Sequence, residues 1–393
     1  MKVLIFMTQF YQLGGAERLA VELAEELNKR GIHADILSMY KEDLPGVAEA
    51  KQDLLQRGIP AVHFLGMKIH PPLASMIPAI FKLRRLIRDE GYEIVETSMV
   101  SPTVLASWAS RGTRAKHVAG LHDVFSKNRY NALKDVFWRF SIRCNRRIRY
   151  YAISDYVKRH WAEFSGTPLK HTRTIYNAIP NDCFDVVPER EAVCSELKIP
   201  SEHKILLFVG RMLKRKGIDT ILAAFGPILR ETDLHLVYVG GTDQGPEGFF
   251  FGEAGLLERM QTQIAEENWI DRVHFLGRRK DVPRLMASCD LLVHPARIEG
   301  FGLVLAEALA SGLPLVASNV EGIPEVLAGT DSLMIPPDDP MALRDAVLQT
   351  LNRPPEEEAC AIKKGRKRAE DYRIGKRIDA MVKLFEEVME CQF

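Results

Sequence analysis

The chain has 393 residues, of which 46% are hydrophobic and 27% charged, and its formal net charge is +1. This composition is typical of a soluble globular protein, and the length predicts two domains of roughly 150–200 residues. No apolar run approaches the roughly 20 residues that span a bilayer, and the opening segment predicts a strand without a cleavable signal organisation. Six scattered cysteines without a Cys-x-x-Cys pair argue against a disulfide framework or a zinc site and indicate a cytoplasmic protein.

The first half of the chain alternates strand-like and helix-like segments. Residues 3–7 predict a strand, and residues 16–30 carry apolar side chains at helical spacing up to Gly31. Short apolar segments predict further strands at residues 34–38, 94–96, 116–119 and 151–153. Alternation of this type is typical of a parallel, doubly wound sheet.

A glycine pair, Gly14 and Gly15, stands between the first predicted strand and the first predicted helix. Glycines at this point let the backbone approach a ligand closely and expose N–H groups to a diphosphate. The segment lacks the Gly-x-Gly-x-x-Gly dinucleotide fingerprint, which disfavours hydride transfer. Taken alone, it is better explained as a plain strand-to-helix turn.

Residues 126–150 concentrate the positive charge of the first half. Residues 1–185 carry 27 Lys and Arg against 19 Asp and Glu, whereas residues 186–393 carry 26 against 33. Aromatic side chains are interleaved with the cations, which suits an anionic membrane surface or an anionic acceptor. An ordinary solvated helix with its aromatics in the core explains the stretch equally well. Nucleic acid is disfavoured, because the rest of the chain is acidic and has no nucleic-acid-binding motif.

Two histidines follow or end predicted strands. His122 comes directly after a strand of the first half, and this strand-end position makes it a candidate for acid–base chemistry although lone histidines are more often structural. His294 lies inside an apolar run ahead of Pro295, and we interpret it as mostly structural.

The strand pattern restarts in the second half. Strands are predicted at residues 204–210, 234–239, 273–276, 290–294 and 315–317. A linker is expected near residues 180–200, so the predicted domains are 1–185 and 186–371, with an amphipathic segment at 372–393 packing back on the first. The prediction is an α/β protein of two Rossmann-like domains whose parallel sheets face a central cleft.

A basic loop follows the first strand of the second half. Its Arg211 and Lys216 can neutralise a diphosphate leaving group, since Arg presents a planar fork and Lys a point charge. The alternative is a basic surface loop, but strand-end loops of open α/β sheets are where ligands bind. Gly277 and Arg278 follow a neighbouring strand and are expected at the same edge, where backbone groups could contact a base; by themselves they indicate only a turn.

The strongest signal is a pair of carboxylates, Glu299 and Glu307, separated by a Gly-x-Gly loop and the start of a predicted helix. A loop of this kind exposes N–H groups at a helix N-terminus, which suits phosphate. Carboxylates accept hydrogen bonds from sugar and ribose hydroxyls. The segment therefore predicts a site for a sugar nucleotide. No Asp-x-Asp and no metal-ligand spacing occur, so no metal is expected.

Taken together, these motifs resemble the retaining glycosyltransferases of family 4, which have the GT-B fold. The resemblance runs nearly end to end, and several motifs occur in the family's order. They are Gly14-Gly15-Ala-Glu17-Arg18, Gly210-Arg211 with Lys216-Gly217, Gly277 with Asp281-Val-Pro-Arg-Leu, Glu299 and Glu307 with seven residues between them, Gly312-x-Pro314 and Gly322-Ile-Pro-Glu325.

The resemblance implies roles for the second-half residues. Arg211 and Lys216 would stabilise the departing nucleoside diphosphate, Glu307 would accept hydrogen bonds from the ribose, and Glu299 would contact the donor sugar. Phosphate would accept hydrogen bonds from the backbone amides of Phe301, Gly302, Leu303 and Val304.

For the first half, the resemblance implies that Gly14 and Gly15 close over the diphosphate and that His122 lies near the reacting carbon. It also implies metal-independent, front-face transfer, in which the β-phosphate oxygen accepts the acceptor proton. Residues 236–251 depart from the family pattern, because they are longer and more aromatic than its usual Gly-x-Gly-Pro turn.

The predicted function is retaining transfer of a hexosyl or N-acetylhexosaminyl group from a nucleotide sugar, a UDP-sugar, to a glycan or lipid-linked glycan in cell-surface polysaccharide synthesis. The nucleotide sugar is a substrate, and no cofactor is expected. The predicted location is the cytoplasm, with peripheral membrane contact through residues 126–150. The alternatives are a sugar-nucleotide epimerase of similar fold and a non-catalytic subunit that binds sugar nucleotide or glycan.

Overall fold

The computed structural model describes residues 1–11, 14–69, 73–122, 124, 148–241 and 255–390. The predicted basic aromatic stretch therefore lies outside the described residues except at its end, as does most of the divergent loop predicted at 236–251. The chain divides into two compact units, Met1–Ala178 with Gly375–Phe393, and Ile179–Ile374. The boundary inferred from the sequence lay at residues 185 and 186.

The described part of the first unit contains a parallel sheet in the order β3-β2-β1-β4-β5-β6-β7. Its strands are β1 (Lys2–Met7), β2 (His33–Tyr40), β3 (Val62–Met67), β4 (Ile94–Thr97), β5 (Lys116–Leu121), β6 (Ile148–Ala152) and β7 (Thr172–Thr174). Its helices are α1 (Gly15–Lys29), α2 (Val47–Gln56), α3 (Met76–Asp89), α4 (Val100–Ala109) and α5 (Asp155–Ser165).

The second unit contains a parallel sheet in the order β10-β9-β8-β11-β12-β13. Its strands are β8 (Lys204–Val209), β9 (Leu234–Val239), β10 (Val273–Phe275), β11 (Leu291–His294), β12 (Leu315–Ser318) and β13 (Leu333–Ile335). Its helices are α6 (Arg190–Leu197), α7 (Ile218–Phe225), α8 (Leu256–Glu266), α9 (Val282–Ser288), α10 (Leu303–Ser311), α11 (Ile323–Val326), α12 (Pro340–Leu351) and α13 (Pro355–Ala369).

The last helix, α14 (Ile374–Glu390), belongs almost entirely to the first unit. Arg30 pairs with Asp379 at 2.6 Å, and Arg173 pairs with Glu387 at 2.9 Å. The Arg377 side chain is buried and donates a hydrogen bond to the Tyr176 carbonyl oxygen at 3.0 Å. The end of the chain is thus tied to the first unit by both ion pairs and a buried hydrogen bond.

The predicted α/β class with two parallel sheets is confirmed, and three strands, β3, β7 and β13, were missed. All three stand at the edge of a sheet. Central strands such as β1 and β8 are buried on both faces and show a continuous apolar run, whereas these edge strands contain partly or fully exposed positions. Their hydrophobic signal is correspondingly short.

Each sheet reverses its strand order at one point, between β1 and β4 in the first unit and between β8 and β11 in the second. In open α/β sheets, ligands bind outside the carboxyl ends of the strands at such a point. The loops that follow β8 and β11 are therefore where a site is expected in the second unit.

A chain of three histidines lies in the second unit, at the opening residues of neighbouring strands. His235 is 3.0 Å from both His203 and His274, and Arg272 donates toward the first two rings. Burial, followed by the charges of His274, Arg272 and His203, lowers the pKa of His235 to about 4, although Asp233 opposes the shift. The ring is therefore neutral in the folded protein at neutral pH.

We expect the free energy of unfolding to fall as the pH drops from about 6.5 toward 4, because the unfolded chain then binds a proton that folded His235 resists. Each unit of pKa difference corresponds to about 1.4 kcal/mol. Urea titrations at several pH values would measure the slope, and His235→Gln should flatten it. Equal slopes in the two proteins would assign the effect to other groups.

Candidate active site

The loop after β8 carries two of the predicted cations. Arg211 is half-buried directly after Gly210, and Lys216 ends a short 3-10 turn, Lys214–Lys216. Gly217 then adopts φ 73°, and a Cβ atom there would lie 2.0 Å from the Pro295 carbonyl oxygen. The loop after β8 is thus packed directly on the loop after β11.

Lys216, Glu299 and His294 meet at the carboxyl ends of these two strands. The Lys216 ammonium forms an ion pair with Oε2 of Glu299, and the His294 Nε2 lies 3.2 Å from the same oxygen. Only 14% of each charged side chain and 1% of the His294 side chain is exposed. A carboxylate oxygen only accepts, so His294 donates through Nε2. The interpretation of His294 as mostly structural therefore missed a direct contact with the predicted site.

The charges of the cluster follow from its burial. Burial raises the pKa of the Glu299 carboxyl, but Lys216 and His294 outweigh burial and hold that pKa well below its usual range. Burial lowers the pKa of His294, and the bond to Glu299 opposes this only in part. The cluster therefore contains an ionised carboxylate and a cation that is already oriented.

The loop after β12 holds the Glu299 peptide from both sides. Oε2 of Glu321 accepts a hydrogen bond from the Glu299 backbone N–H at 2.7 Å, and the Gly322 N–H donates to the Glu299 carbonyl at 3.1 Å. A Cβ atom on Gly322 would lie 2.1 Å from the Gly300 carbonyl oxygen. The Glu299 backbone is therefore held rigidly, which orients its carboxylate.

The start of α10 carries the predicted amides. Gly302 is the N-cap at φ 84° and, as a glycine, makes no side-chain hydrogen bond to the first turn of the helix. Phe301 is buried edge-on against Tyr372, with 5.2 Å between the ring centroids. Glu307 lies in the second turn of α10 and is 9% exposed. An anion at this N-terminus would meet backbone N–H groups and the positive end of the helix dipole.

The predicted pair Gly277 and Arg278 lies at the same edge of the sheet. The Gly240 N–H donates to the Gly277 carbonyl at 2.8 Å, and Arg278 packs over Gly241. Gly240 also packs closely on the backbone of Gly210: a Cβ atom built on Gly240 would lie 1.8 Å from the Gly210 carbonyl oxygen. The strand ends that carry Arg211 and Gly277 are therefore directly connected.

The predicted residues of the first unit lie at the carboxyl ends of the strands of their own sheet. Gly14 caps α1 and Gly15 begins it, and a Cβ atom on Gly14 would lie 2.7 Å from a carboxylate oxygen of Glu17. His122 follows β5, is half-buried and places Nε2 3.4 Å from the Tyr151 hydroxyl. The Tyr151 contact was not predicted from the sequence.

Arg297 is a further residue that the sequence did not indicate. Its guanidinium makes a two-pronged contact with Asp219 at 2.8 and 3.0 Å and also donates to the Lys214 carbonyl, while its backbone N–H donates to the Arg215 carbonyl at 2.8 Å. Its Nε donates to Oδ1 of Asp338. Arg297 therefore holds the turn that carries Lys216 against the loop after β11.

Replacement of Arg297 by methionine is expected to raise the KM for the sugar nucleotide predicted from the sequence about tenfold, because the Lys216 turn loses several charge-assisted hydrogen bonds. Steady-state kinetics with varied donor would measure the change. Asp338→Asn is the matched control, since it removes only an exposed partner and should leave the KM within about twofold. An unchanged KM in Arg297→Met would mean that the turn keeps its position without this side chain.

Two family models cover nearly the whole chain. The model for glycosyl transferases group 1 matches residues 189–368, and the model for glycosyltransferase family 4 matches residues 13–182. The chain belongs to the group 1, family 4 glycosyltransferases. The family predicted from the sequence is thereby confirmed.

This family 4 glycosyltransferase has relatives in several bacteria. It is 26% identical to N-acetyl-alpha-D-glucosaminyl L-malate synthase of Bacillus anthracis, over 84% of this chain and 83% of the relative. It is 25% identical to phosphatidyl-myo-inositol mannosyltransferase of Mycobacterium leprae, over 86% and 84%. Crystal structures of HepE from Anabaena with UDP and with UDP-glucose match at a TM-score of 0.81 and 21% identity, over 98% of this chain and 100% of theirs. The GT-B fold is thereby confirmed.

Proposed function

We propose that this glycosyltransferase transfers a hexosyl or N-acetylhexosaminyl group, with retention, from a UDP-sugar to a glycan or lipid-linked glycan in cell-surface polysaccharide synthesis. The observation that carries the proposal is the Lys216–Glu299–His294 cluster at the point where the strand order reverses. It combines a cation for a diphosphate with an oriented carboxylate for sugar hydroxyls.

The cluster can perform both tasks at once. Among the described contacts of the Glu299 carboxylate, those from Lys216 and His294 use Oε2, which leaves Oε1 to accept a sugar hydroxyl. Lys216 has three N–H donors, and its bond to Glu299 uses one of them. The remaining donors, together with Arg211 on the same loop, are proposed to neutralise the departing diphosphate.

The other predicted residues complete the proposed donor site. Glu307 would accept hydrogen bonds from the ribose, and the backbone at Gly277 and Arg278 would contact the base. Phosphate would bind the start of α10, at the amides of Phe301, Gly302, Leu303 and Val304. The roles predicted for Gly14, Gly15 and His122 of the first unit stay predictions.

The proposed reaction needs no group from outside the substrates. The bond between the sugar C1 and the diphosphate oxygen breaks, and the acceptor oxygen bonds to C1 on the same face. The acceptor proton moves to the departing phosphate oxygen. No group of three or more His, Cys, Asp or Glu residues that could hold a metal ion occurs in the described ranges.

The relatives support the choice of substrates. The B. anthracis relative is named for an N-acetylglucosaminyl product, the M. leprae relative for a mannosyl transfer to a phosphatidyl-inositol, and HepE was crystallised with UDP-glucose. These names favour a nucleotide-sugar donor and leave the individual sugar open.

A thermal-shift panel of UDP-, GDP- and ADP-sugars tests the donor. A bound sugar nucleotide at 100 times its Kd should stabilise the protein by about 2.7 kcal/mol. Proton NMR of the product formed with an α-linked donor should then show an α-linkage. A β-linked product would contradict retention, turnover to an epimer without acceptor would indicate the epimerase, and binding without any turnover would indicate the non-catalytic subunit.

We also propose peripheral contact with the cytoplasmic face of an anionic membrane. The predicted stretch 126–150 lies mostly outside the described residues, but α3 presents two exposed apolar side chains, Ile77 at 62% and Phe81 at 60%, in one stripe with Arg85 and Arg88. Apolar residues beside cations on a helix face suit anionic lipid. No helix in the described ranges is long and apolar enough to cross a bilayer.

Sedimentation with phosphatidylglycerol vesicles tests this surface. Phe81→Ser should weaken binding about tenfold, because one aromatic side chain no longer enters the interface. Leu55→Ser on α2 is the control, since Leu55 is exposed but lies on another helix. Equal binding of the two variants would contradict an anionic-membrane surface on α3. Binding of the wild type to vesicles that contain only phosphatidylcholine would contradict it as well.

A further inference from the structure

A buried hydrogen-bonded chain runs behind His122 in the first unit. The Tyr151 hydroxyl donates to Oε1 of Glu96 at 2.7 Å, and the Ser98 hydroxyl donates to the same oxygen at 2.9 Å. His122 contacts the same Tyr151 hydroxyl through Nε2 at 3.4 Å, with its ring edge-on to the tyrosine ring. Glu96 and Tyr151 are fully buried, so water does not compete for these bonds.

The direction of each bond in this chain follows from the donors available. Burial raises the pKa of Glu96, while the bonds from Tyr151 and Ser98 and the charge of Arg377 oppose this shift. With Glu96 ionised, its carboxylate can only accept, so the one hydroxyl proton of Tyr151 is used in the bond to Glu96. The Tyr151 oxygen can then only accept from His122, which requires the proton of the neutral imidazole to sit on Nε2. The chain therefore selects one of the two ring tautomers and leaves a lone pair on Nδ1.

The surrounding residues hold the chain tightly. A Cβ atom on Gly120 would lie 2.5 Å from the Tyr151 hydroxyl oxygen and 2.9 Å from the His122 Nε2, so only glycine leaves room for this contact. The Arg377 guanidinium of α14 lies 5.5 Å from the centre of the Tyr151 ring. Burial, together with the charge of Arg377, lowers the pKa of His122 to about 3, so the ring is neutral at physiological pH.

We propose that Glu96 is a positioning residue that acts through Tyr151 to hold His122 as its Nε2–H tautomer, so that Nδ1 is the hydrogen-bond acceptor offered to substrate. The inference rests on the proposed function, because it assigns a use to His122 in the transfer reaction. It also specifies that use. His122 would accept a hydrogen bond from a hydroxyl of a substrate and would not donate one.

The tautomer can be measured without any activity. Full-length protein labelled with ¹⁵N-histidine gives long-range ¹H–¹⁵N correlations that distinguish a protonated ring nitrogen from one with a lone pair, and His122→Gln assigns the His122 signals. We expect the Nε2–H pattern in the wild type. In Tyr151→Phe the two ¹⁵N shifts should move toward each other, because neither tautomer is selected. An Nδ1–H pattern in the wild type would overturn the proposal, as would unchanged shifts in Tyr151→Phe.

Tyr150→Phe is the matched control for this experiment. Tyr150 is the neighbouring residue on β6, and its buried hydroxyl has no hydrogen-bond partner among the described residues. Its replacement removes the same atom from the other face of the strand and should leave the His122 signals unchanged. If Tyr150→Phe alters them as strongly as Tyr151→Phe, a general loosening of the strand explains the result and the proposal fails.

Kinetics separate this proposal from the proposed function. In an enzyme that transfers sugar, Tyr151→Phe and Glu96→Leu, which removes the acceptor of the Tyr151 hydroxyl, should each lower kcat about ten- to a hundredfold, while the donor KM stays within about twofold. Absence of transfer by the wild type would reject the proposed function and leave the tautomer measurement intact. A wild-type kcat in both variants would show that the tautomer has no part in transfer.

Discussion

Replacement of Lys216 by alanine is expected to lower kcat/KM for glycosyl transfer about a thousandfold, which corresponds to about 4 kcal/mol of transition-state stabilisation. The ammonium is held in place by Glu299 before substrate arrives, so in the proposed role it would stabilise the leaving diphosphate without reorganisation. Steady-state rates of nucleoside-diphosphate release, measured with and without acceptor, would give the change.

The same substitution leaves the Glu299 carboxylate without its cation in a site that is only 14% exposed. We therefore also expect a loss of about 2 kcal/mol in the free energy of unfolding. Glu299→Gln in the Lys216→Ala background should recover part of that stability but none of the activity, because it removes the uncompensated charge and not the missing cation.

Lys204→Ala is the matched control for the Lys216 variant. Lys204 begins β8, the strand that precedes the Lys216 loop, and its half-exposed side chain pairs with Asp290 at 3.0 Å at the opposite end of that strand. Its loss should change stability by less than about 1 kcal/mol and leave the activity unaltered. A Lys216→Ala enzyme with more than a tenth of wild-type activity would contradict the role proposed for the cation.

The largest effect on folding is expected from Gly217→Ala. The residue has φ 73°, and its Cβ atom would lie 2.0 Å from the Pro295 carbonyl oxygen, which belongs to the backbone and cannot swing away. The left-handed conformation costs an alanine about 1–2 kcal/mol, and separation of the two loops should bring the total to about 3 kcal/mol or more. Urea unfolding monitored by circular dichroism would measure the loss.

Gly329→Ala separates the two causes. Gly329 has a similar φ of 78°, but a Cβ atom there meets nothing within 4 Å. It should therefore lose only about 1 kcal/mol, which is the conformational part alone. Equal losses at both positions would show that the loop after β8 moves away from Pro295 at little cost.

The sequence predicted much of the fold because its signals are local. Continuous apolar runs identify strands that are buried on both faces, and β1 and β8 were recognised in this way. The strand-end motifs at Arg211, Gly277 and Glu299 were placed at one edge because parallel strands all end on the same side of a sheet. Three of the four edge strands, β3, β7 and β13, escaped recognition, since their exposed or partly exposed positions interrupt the apolar pattern.

The contacts within the site could not be predicted in the same way. Lys216 and Glu299 are 83 positions apart, and Glu96 and Tyr151 are 55 apart. The sequence proposed that Lys216 and Glu299 serve different parts of the donor, and nothing in their spacing showed that they pair with each other. His294 looked structural because its neighbours are apolar, yet its ring reaches the carboxylate of the next loop.

By itself, the sequence determined the α/β class, the family and the positions of the candidate residues at strand ends, because hydrophobic runs, glycines and charges near one another on the chain specify local structure. Only the tertiary structure decided which of those side chains are in contact and therefore which charged groups form ion pairs. The cluster of Lys216, Glu299 and His294 and the chain from Glu96 to His122 arise where strands distant in sequence end side by side. Because these groups are buried, each one strongly affects the protonation state or the orientation of the group that it contacts.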